Sequence, residues 1–240
     1  MQYRQRFYRT LVSNELVGFS VQIEESDLYI LADKDFSCEA EDELKKQRQI
    51  LKQYIKEFPD FYLSFHPIGC EESAPEIIKI MSRASYLCNV GPMATVAGAI
   101  AEMVGNRLIK LSKQVIIENG GDIFLMTEKE RIIAIYAGNS PFSMKIGIKV
   151  KSRNCPFGVA TSSATVGHST SFGTADSVTV ICPTSALADG LATYMCNQTR
   201  NIDFSNIRNI IEMFPFLEGL VVIRNEQLFV WGDLELVYLT

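Results

Sequence analysis

Residues 156–197 read PFGVATSSATVGHSTSFGTADSVTVICPTSALADGLATYMCN, and this stretch decides the fold. A short apolar step after Gly158 leads into Ala160-Thr161-Ser162-Ser163, then into a run of small and polar residues that contains His168. An apolar strand follows from Ser177 to Cys182, and Pro183 stops it. Next comes a segment of small residues, Ser185 to Cys196, which carries Asp189 and Thr193. As a helix it would present those two on one face, because residues four apart are neighbours. A carboxylate beside a hydroxyl suits a hard cation such as Mg²⁺. The plainer reading of Asp189 is an acidic residue near a helix start, where the macrodipole favours it. His168 reads either as a ligand contact or as an ordinary loop residue.

Two stretches upstream share the same lack of bulk. Val115 to Met126, VIIENGGDIFLM, places apolar runs on both sides of Asn119-Gly120-Gly121-Asp122. Asn-Gly is a strong hairpin signal. A backbone stripped of side chains also lets a flat or phosphorylated ligand approach. Asn89 to Gly105, NVGPMATVAGAIAEMVG, reads as a helix started by Pro92 and capped by Gly105-Asn106. Gly98 inside it costs about 1 kcal/mol relative to Ala, so close packing against a sheet or close approach of a ligand should offset it.

Around these lies ordinary material. Tyr3 to Leu11, Val17 to Glu24 and Leu28 to Asp33 read as a meander of three strands, with turns at Ser13-Asn14 and Glu25-Ser26-Asp27. No glycine-rich loop follows them, so neither a Rossmann nor a P-loop reading is supported. Cys38 to Phe58 is a helix, acidic at its start, basic later, and ended by Pro59. Phe61 to His66 reads as a short strand, with His66 a structural histidine, and Pro75 opens a helix to about Leu87. Ile132 to Ala137 is a strand, and Met144 to Val150 an edge strand with Lys145 and Lys149 facing water. Phe204 to Phe214 reads as a helix, followed by strands at Leu220 to Arg224, Leu228 to Trp231 and Leu234 to Leu239.

Composition narrows the function classes. The chain is 47% hydrophobic and 21% charged, which is globular rather than disordered. A net charge of −5 offers no electrostatic footprint for nucleic acid. No apolar run reaches the length of a membrane span, and no signal peptide is visible. The six cysteines form no CxxC pair and read as reduced core thiols, so a cytoplasmic location is expected. No linker or repeat divides residues 1–240, so one domain of α+β class is expected, with mostly antiparallel sheet packed by helices.

The order of three motifs carries a resemblance: a small-residue helix, then ENGGD, then ATSS followed by DSVTVICPTSALADGLATYM. It resembles the ApbE family, the FAD:protein FMN transferases, over roughly the middle third to half of the chain. In that family a DLGxIAKG segment precedes an NLGGD turn, then an ATSG segment, an HxIDPxTG loop, an SVTV strand and an AD-x-x-AT helix. Here AD-x-x-AT is complete at Ala188 to Thr193, GGD at Gly120 to Asp122, and SVTV at Ser177 to Val180. The resemblance implies a T-fold-like architecture. It also implies Mg²⁺ held by Asp189 and Thr193 with the backbone carbonyls of Ala192 and Ala94. A flavin, FAD or FMN, would lie near Gly120, Gly121, Asp122, Thr161, Ser162 and His168.

Departures from the family are equally specific. Ala97 stands where the family has lysine, Val90-Gly91-Pro92 replaces DLG, and Ser163 replaces the ATSG glycine. The loop Gly167 to Gly173 lacks Asp-Pro. Two expectations follow: Mg-dependent flavin binding or flavin transfer to protein, or a non-catalytic protein that keeps the pocket for a flat cofactor or a partner protein. A homodimer is compatible with either. Hydrolysis through His168 and a nearby serine lacks an elbow motif and a fixed acid.

Overall fold

The computed structural model describes residues 15–165, 173–200 and 206–239. Val17–Ile23 (β1) and Ser26–Ala32 (β2) pair in register, Ile23 opposite Ser26. The turn between them is therefore Glu24-Glu25, one step earlier than the sequence suggests, and Glu24 takes a φ of 53°. The first expected strand, Tyr3 to Leu11, lies outside the described residues.

Val115–Asn119 (β3), Asp122–Met126 (β4), Phe157–Ser162 (β7), Ser177–Cys182 (β8), Gly219–Arg224 (β9) and Gln227–Gly232 (β10) complete one eight-stranded sheet. Its order is β1-β2-β3-β4-β7-β8-β9-β10, and every pairing is antiparallel. Arg131–Ala134 (β5), Ile146–Val150 (β6) and Glu235–Tyr238 (β11) form a second sheet in the order β11-β6-β5.

Residue alternation assigns the faces. Val178, Val180, Leu220 and Val222 pack with helices, while their neighbours Ile181, Val221 and Ile223 pack with Ile146, Ile148 and Val150 of the small sheet. A period of two does this automatically, since successive side chains point to opposite faces. The large sheet thus lies between a helical layer and the small sheet. This is an α+β fold, with the antiparallel sheets and helices that the sequence predicts.

The helical layer holds Ser37–Glu57 (α1), Asp60–Leu63 (α2), Glu76–Cys88 (α3), Val96–Leu108 (α4), Ser185–Gln198 (α5) and Ile207–Ile211 (α6). Three differences from the sequence reading have physical causes. Residues 60–63 form a helical turn rather than a strand, with Phe61 buried beneath it against Tyr54 of α1. Helix α4 follows a 3-10 turn at Pro92–Thr95 and runs on past Gly105. That glycine is no cap: a Cβ there would stand 2.4 Å from the Phe124 ring, so it makes room for β4. Strand β6 is central rather than at an edge, and Lys149 pairs with Glu130 and Glu235. All six cysteines are free; Cys88, Cys182 and Cys196 are buried, but Cys38 and Cys155 are exposed and not core thiols. No single helix among the described residues is long and apolar enough to cross a membrane.

Candidate functional site

The site begins with an unmet need of helix α4. The first amides of any α-helix lack partners within the helix. Thr95, at the N-cap, makes no side-chain capping bond. The Gly98 N–H instead donates to Asp189 Oδ2 of α5 at 2.9 Å, and the Ala97 N–H stabilises the same carboxylate. Asp189 therefore caps a helix to which it is not local, rather than its own.

The converse holds at α5. Thr184 Oγ1 accepts from Leu187 N at 3.3 Å. The remaining free amides of the first turn, Ser185 and Ala186, turn to Glu102 of α4, with Ala186 N at 3.2 Å from Glu102 Oε2. The Thr184 hydroxyl donates to the same carboxylate. Each helix thus caps the other with a carboxylate. Gly98 lies at the crossing, where a Cβ would come within 2.2 Å of Ser185 O and 2.8 Å of Asp189 Cβ. The close packing expected of Gly98 is present, but against a helix rather than a sheet. Gly158 of β7 serves the same end from below, since a Cβ there would stand 2.4 Å from Ser185 Cα.

Burial raises the pKa of Asp189 from 3.8 to about 7, against the opposing effect of its two amide donors. Glu102 is also raised by burial, and the amides of Ala186 and Ser185 and the Thr184 hydroxyl oppose it. Among the described residues no Lys, Arg or His forms an ion pair with Asp189, so no side-chain cation offsets its charge. Thr193 lies one turn further along α5, half-buried. Ala192 is buried in the same apolar cluster against which Ala94 packs.

The glycine turn joins this group. Asn119 and Asp122 face each other across the β3–β4 ladder, with Gly120 at φ 75° and Gly121 at φ 120° between them. Asn119 is buried, and its Nδ2 donates to Ala97 O at 3.0 Å. Thr161 N donates to Gly121 O at 3.1 Å, and Thr161 Oγ1 lies 2.9 Å from Thr179 Oγ1. Asp122 pairs with Ala160 in the ladder, two residues before Ser162. Hydrogen bonds therefore tie Asp189 to Ala97 and Gly98, Ala97 to Asn119, and the glycine turn that follows Asn119 to Thr161. His168 lies outside the described residues.

Two participants escape the sequence reading, Glu102 and Asn119. Only the spacing hints at Glu102: it stands four residues after Gly98, as Asp189 stands four after Ser185. Among the described residues no group of three or more His, Cys, Asp or Glu could hold a metal. The donors that the resemblance implies are instead the Asp189 carboxylate, the Thr193 hydroxyl and the backbone carbonyls of Ala192 and Ala94. All are oxygens, and a desolvated, half-buried carboxylate with no cation paired to it among the described residues suits a hard divalent ion.

Comparison with known proteins identifies the family and the fold. The family model described as AbpE bacteria matches residues 9–209. A UPF0280 protein of Methanocaldococcus jannaschii is 43% identical over 208 residues, covering 84% of this chain and 84% of that protein. A UPF0280 protein of Methanobrevibacter smithii is 45% identical over 186 residues, covering 75% of this chain and 78% of that protein. Two crystal structures share the fold. The ApbE protein of Thermotoga maritima has a TM-score of 0.57 at 14% identity, covering 91% of this chain and 97% of that one. The apo flavinyl transferase ApbE of Pseudomonas stutzeri has a TM-score of 0.56 at 16% identity, covering 93% of this chain and 96% of that one. The chain therefore belongs to the family described as AbpE bacteria, alongside the UPF0280 proteins, and its fold is that of the ApbE structures.

Proposed function

We propose that this chain binds a flavin dinucleotide of the FAD type in a Mg²⁺-dependent manner, at the crossing of α4 and α5. One observation carries the reading: Asp189 is a half-buried, desolvated carboxylate with no side-chain cation paired to it among the described residues, on a helix that retains the whole AD-x-x-AT pattern. Burying an ionised carboxylate is costly unless a partner offsets it. A cation held by Asp189 and Thr193, with carbonyls of Ala192 and Ala94, would supply that partner. When bound, Mg²⁺ would bring positive charge to pyrophosphate oxygens. The chain's own part is to hold the Asp189 carboxylate fixed, and to present the side-chain-free turn at Gly120 and Gly121 beside it. Thr161, Ser162, Asp122 and His168 are the candidates for contacts to the flavin.

The fold-sharing flavinyl transferase of Pseudomonas stutzeri supports the choice of a flavin ligand and, for an active enzyme, an acceptor protein. A second reading, binding without cleavage, is favoured by Ala97 in place of the family's lysine and by the missing Asp-Pro. A transferase would break the FAD pyrophosphate, attach the FMN half to an acceptor and release AMP. A binding protein would return FAD intact.

The test is to mix purified protein with FAD, with and without Mg²⁺, desalt it, and record the absorption spectrum and any free AMP. Flavin bands retained only with Mg²⁺ support the proposal. Released AMP then identifies transfer or hydrolysis, and intact FAD identifies the binding role. Absence of retained flavin under both conditions overturns it.

A further inference from the structure

We propose that Glu102 is the positioning residue of this site: by capping α5 from α4, it holds the helix that carries Asp189 and so fixes the Asp189 carboxylate. The inference rests on the reading of Asp189 as a cation ligand, but its structural half stands apart from that reading. Glu102 is half-buried, and it accepts from Ser185 and Ala186, the two first-turn amides that Thr184 leaves free. Asp189 sits one turn beyond Ser185 on the same helix, and its own carboxylate closes back onto Ala97 and Gly98. The two carboxylates thus act on one crossing from opposite sides. Gly98 permits it, because any side chain there would meet the Ser185 carbonyl.

A purely local cap would steady only the start of α5. A clamp does more: loosening α5 at Ser185 frees Asp189 and thereby uncaps α4 at Ala97 and Gly98, amides that bond to Asp189 and not to the Glu102 side chain. This gives a readout that needs no metal and no activity. Amide hydrogen exchange is measured on the whole chain for the parent, Glu102→Ala and Glu102→Gln. The clamp predicts that Glu102→Ala speeds exchange about tenfold or more at Ala97 and Gly98 as well as at Ser185 and Ala186, an apparent opening shift of about 1.4 kcal/mol or more. Glu102→Gln, which keeps an acceptor of the same reach, stays near the parent. Faster exchange confined to Ser185 and Ala186 overturns the proposal.

The same variants are then titrated with Mg²⁺ alone. Residues that orient a metal ligand typically cost about 10–100-fold in metal affinity when lost. That loss is expected for Glu102→Ala, with rescue by Gln. Unchanged Mg²⁺ affinity in Glu102→Ala overturns the positioning role. A parent that binds no Mg²⁺ refutes the cation reading of Asp189, and with it the positioning role, while the exchange pattern still decides whether the clamp exists. Should Glu102→Ala fail to fold, Glu102→Asp replaces it, keeping the charge and shortening the reach by one methylene.

Discussion

At Asp189 the physical conflict is between burial and charge. Its pKa is raised from 3.8 to about 7, with burial as the cause. Between those values the folded chain holds a proton that the unfolded chain has released. Stability therefore falls as pH rises across that window and levels off above it. Glu102, also raised by burial, adds a slope of the same sign. Urea denaturation of the metal-free protein should show the parent losing stability from about pH 4 to about pH 7, and Asp189→Asn losing less. Identical slopes would mean that Asp189 is not the group responsible. The thiols make a second test. Burial pushes the Cys88 thiol up to about 12, with the Asp189 charge adding to it, and Cys182 is raised by its own burial. A thiolate is the reactive form. A disulfide reagent should modify Cys38 and Cys155 quickly and leave Cys88, Cys182 and Cys196 untouched until the chain unfolds. Fast reaction of Cys88 in the folded protein would contradict this packing.

Among the elements, the α4–α5 crossing and the glycine turn bear on the site most. Gly98→Ala would place a methyl 2.2 Å from a backbone carbonyl, and backbone yields less readily than a flexible side chain. Overpacking of this kind costs about 1–3 kcal/mol. Chemical denaturation should show that loss, and unchanged stability would mean that the helices are not held so close. Gly121→Val meets a different obstacle. Its φ of 120° is one that a β-branched residue scarcely adopts, at a strain of about 1–3 kcal/mol. A variant as stable as the parent, binding FAD equally well, would remove any special role for the turn. The small-residue helix, the NGG turn and the AD-x-x-AT helix are all legible in the sequence, because each is a local pattern. The exchange of caps between the helices is not. Gly98 and Asp189 are 91 residues apart, Ala186 and Glu102 84. A lone acidic residue on a helix carries no sign of which amides it will meet. Gly105 misleads for the same reason: read locally it ends a helix, but the Phe124 ring that requires it comes from β4.

For the whole molecule, alternation along the strands makes the faces legible but not the neighbours. Val178 and Ile181 declare opposite faces in the sequence, yet nothing local says that β4 pairs with β7. Nor does anything local send β11 into the small sheet beside β6. The resemblance to ApbE proteins supplies that long-range order, and the shared fold bears it out. The layered sheet then brings α4, the glycine turn and α5 together around Asp189. The most direct test is a calorimetric titration with Mg²⁺ and FAD on the parent and on Asp189→Asn. The account predicts FAD binding by the parent that requires Mg²⁺, and loss of that binding in Asp189→Asn with the fold retained. A parent without Mg²⁺-dependent binding, or two proteins that titrate alike, would contradict it.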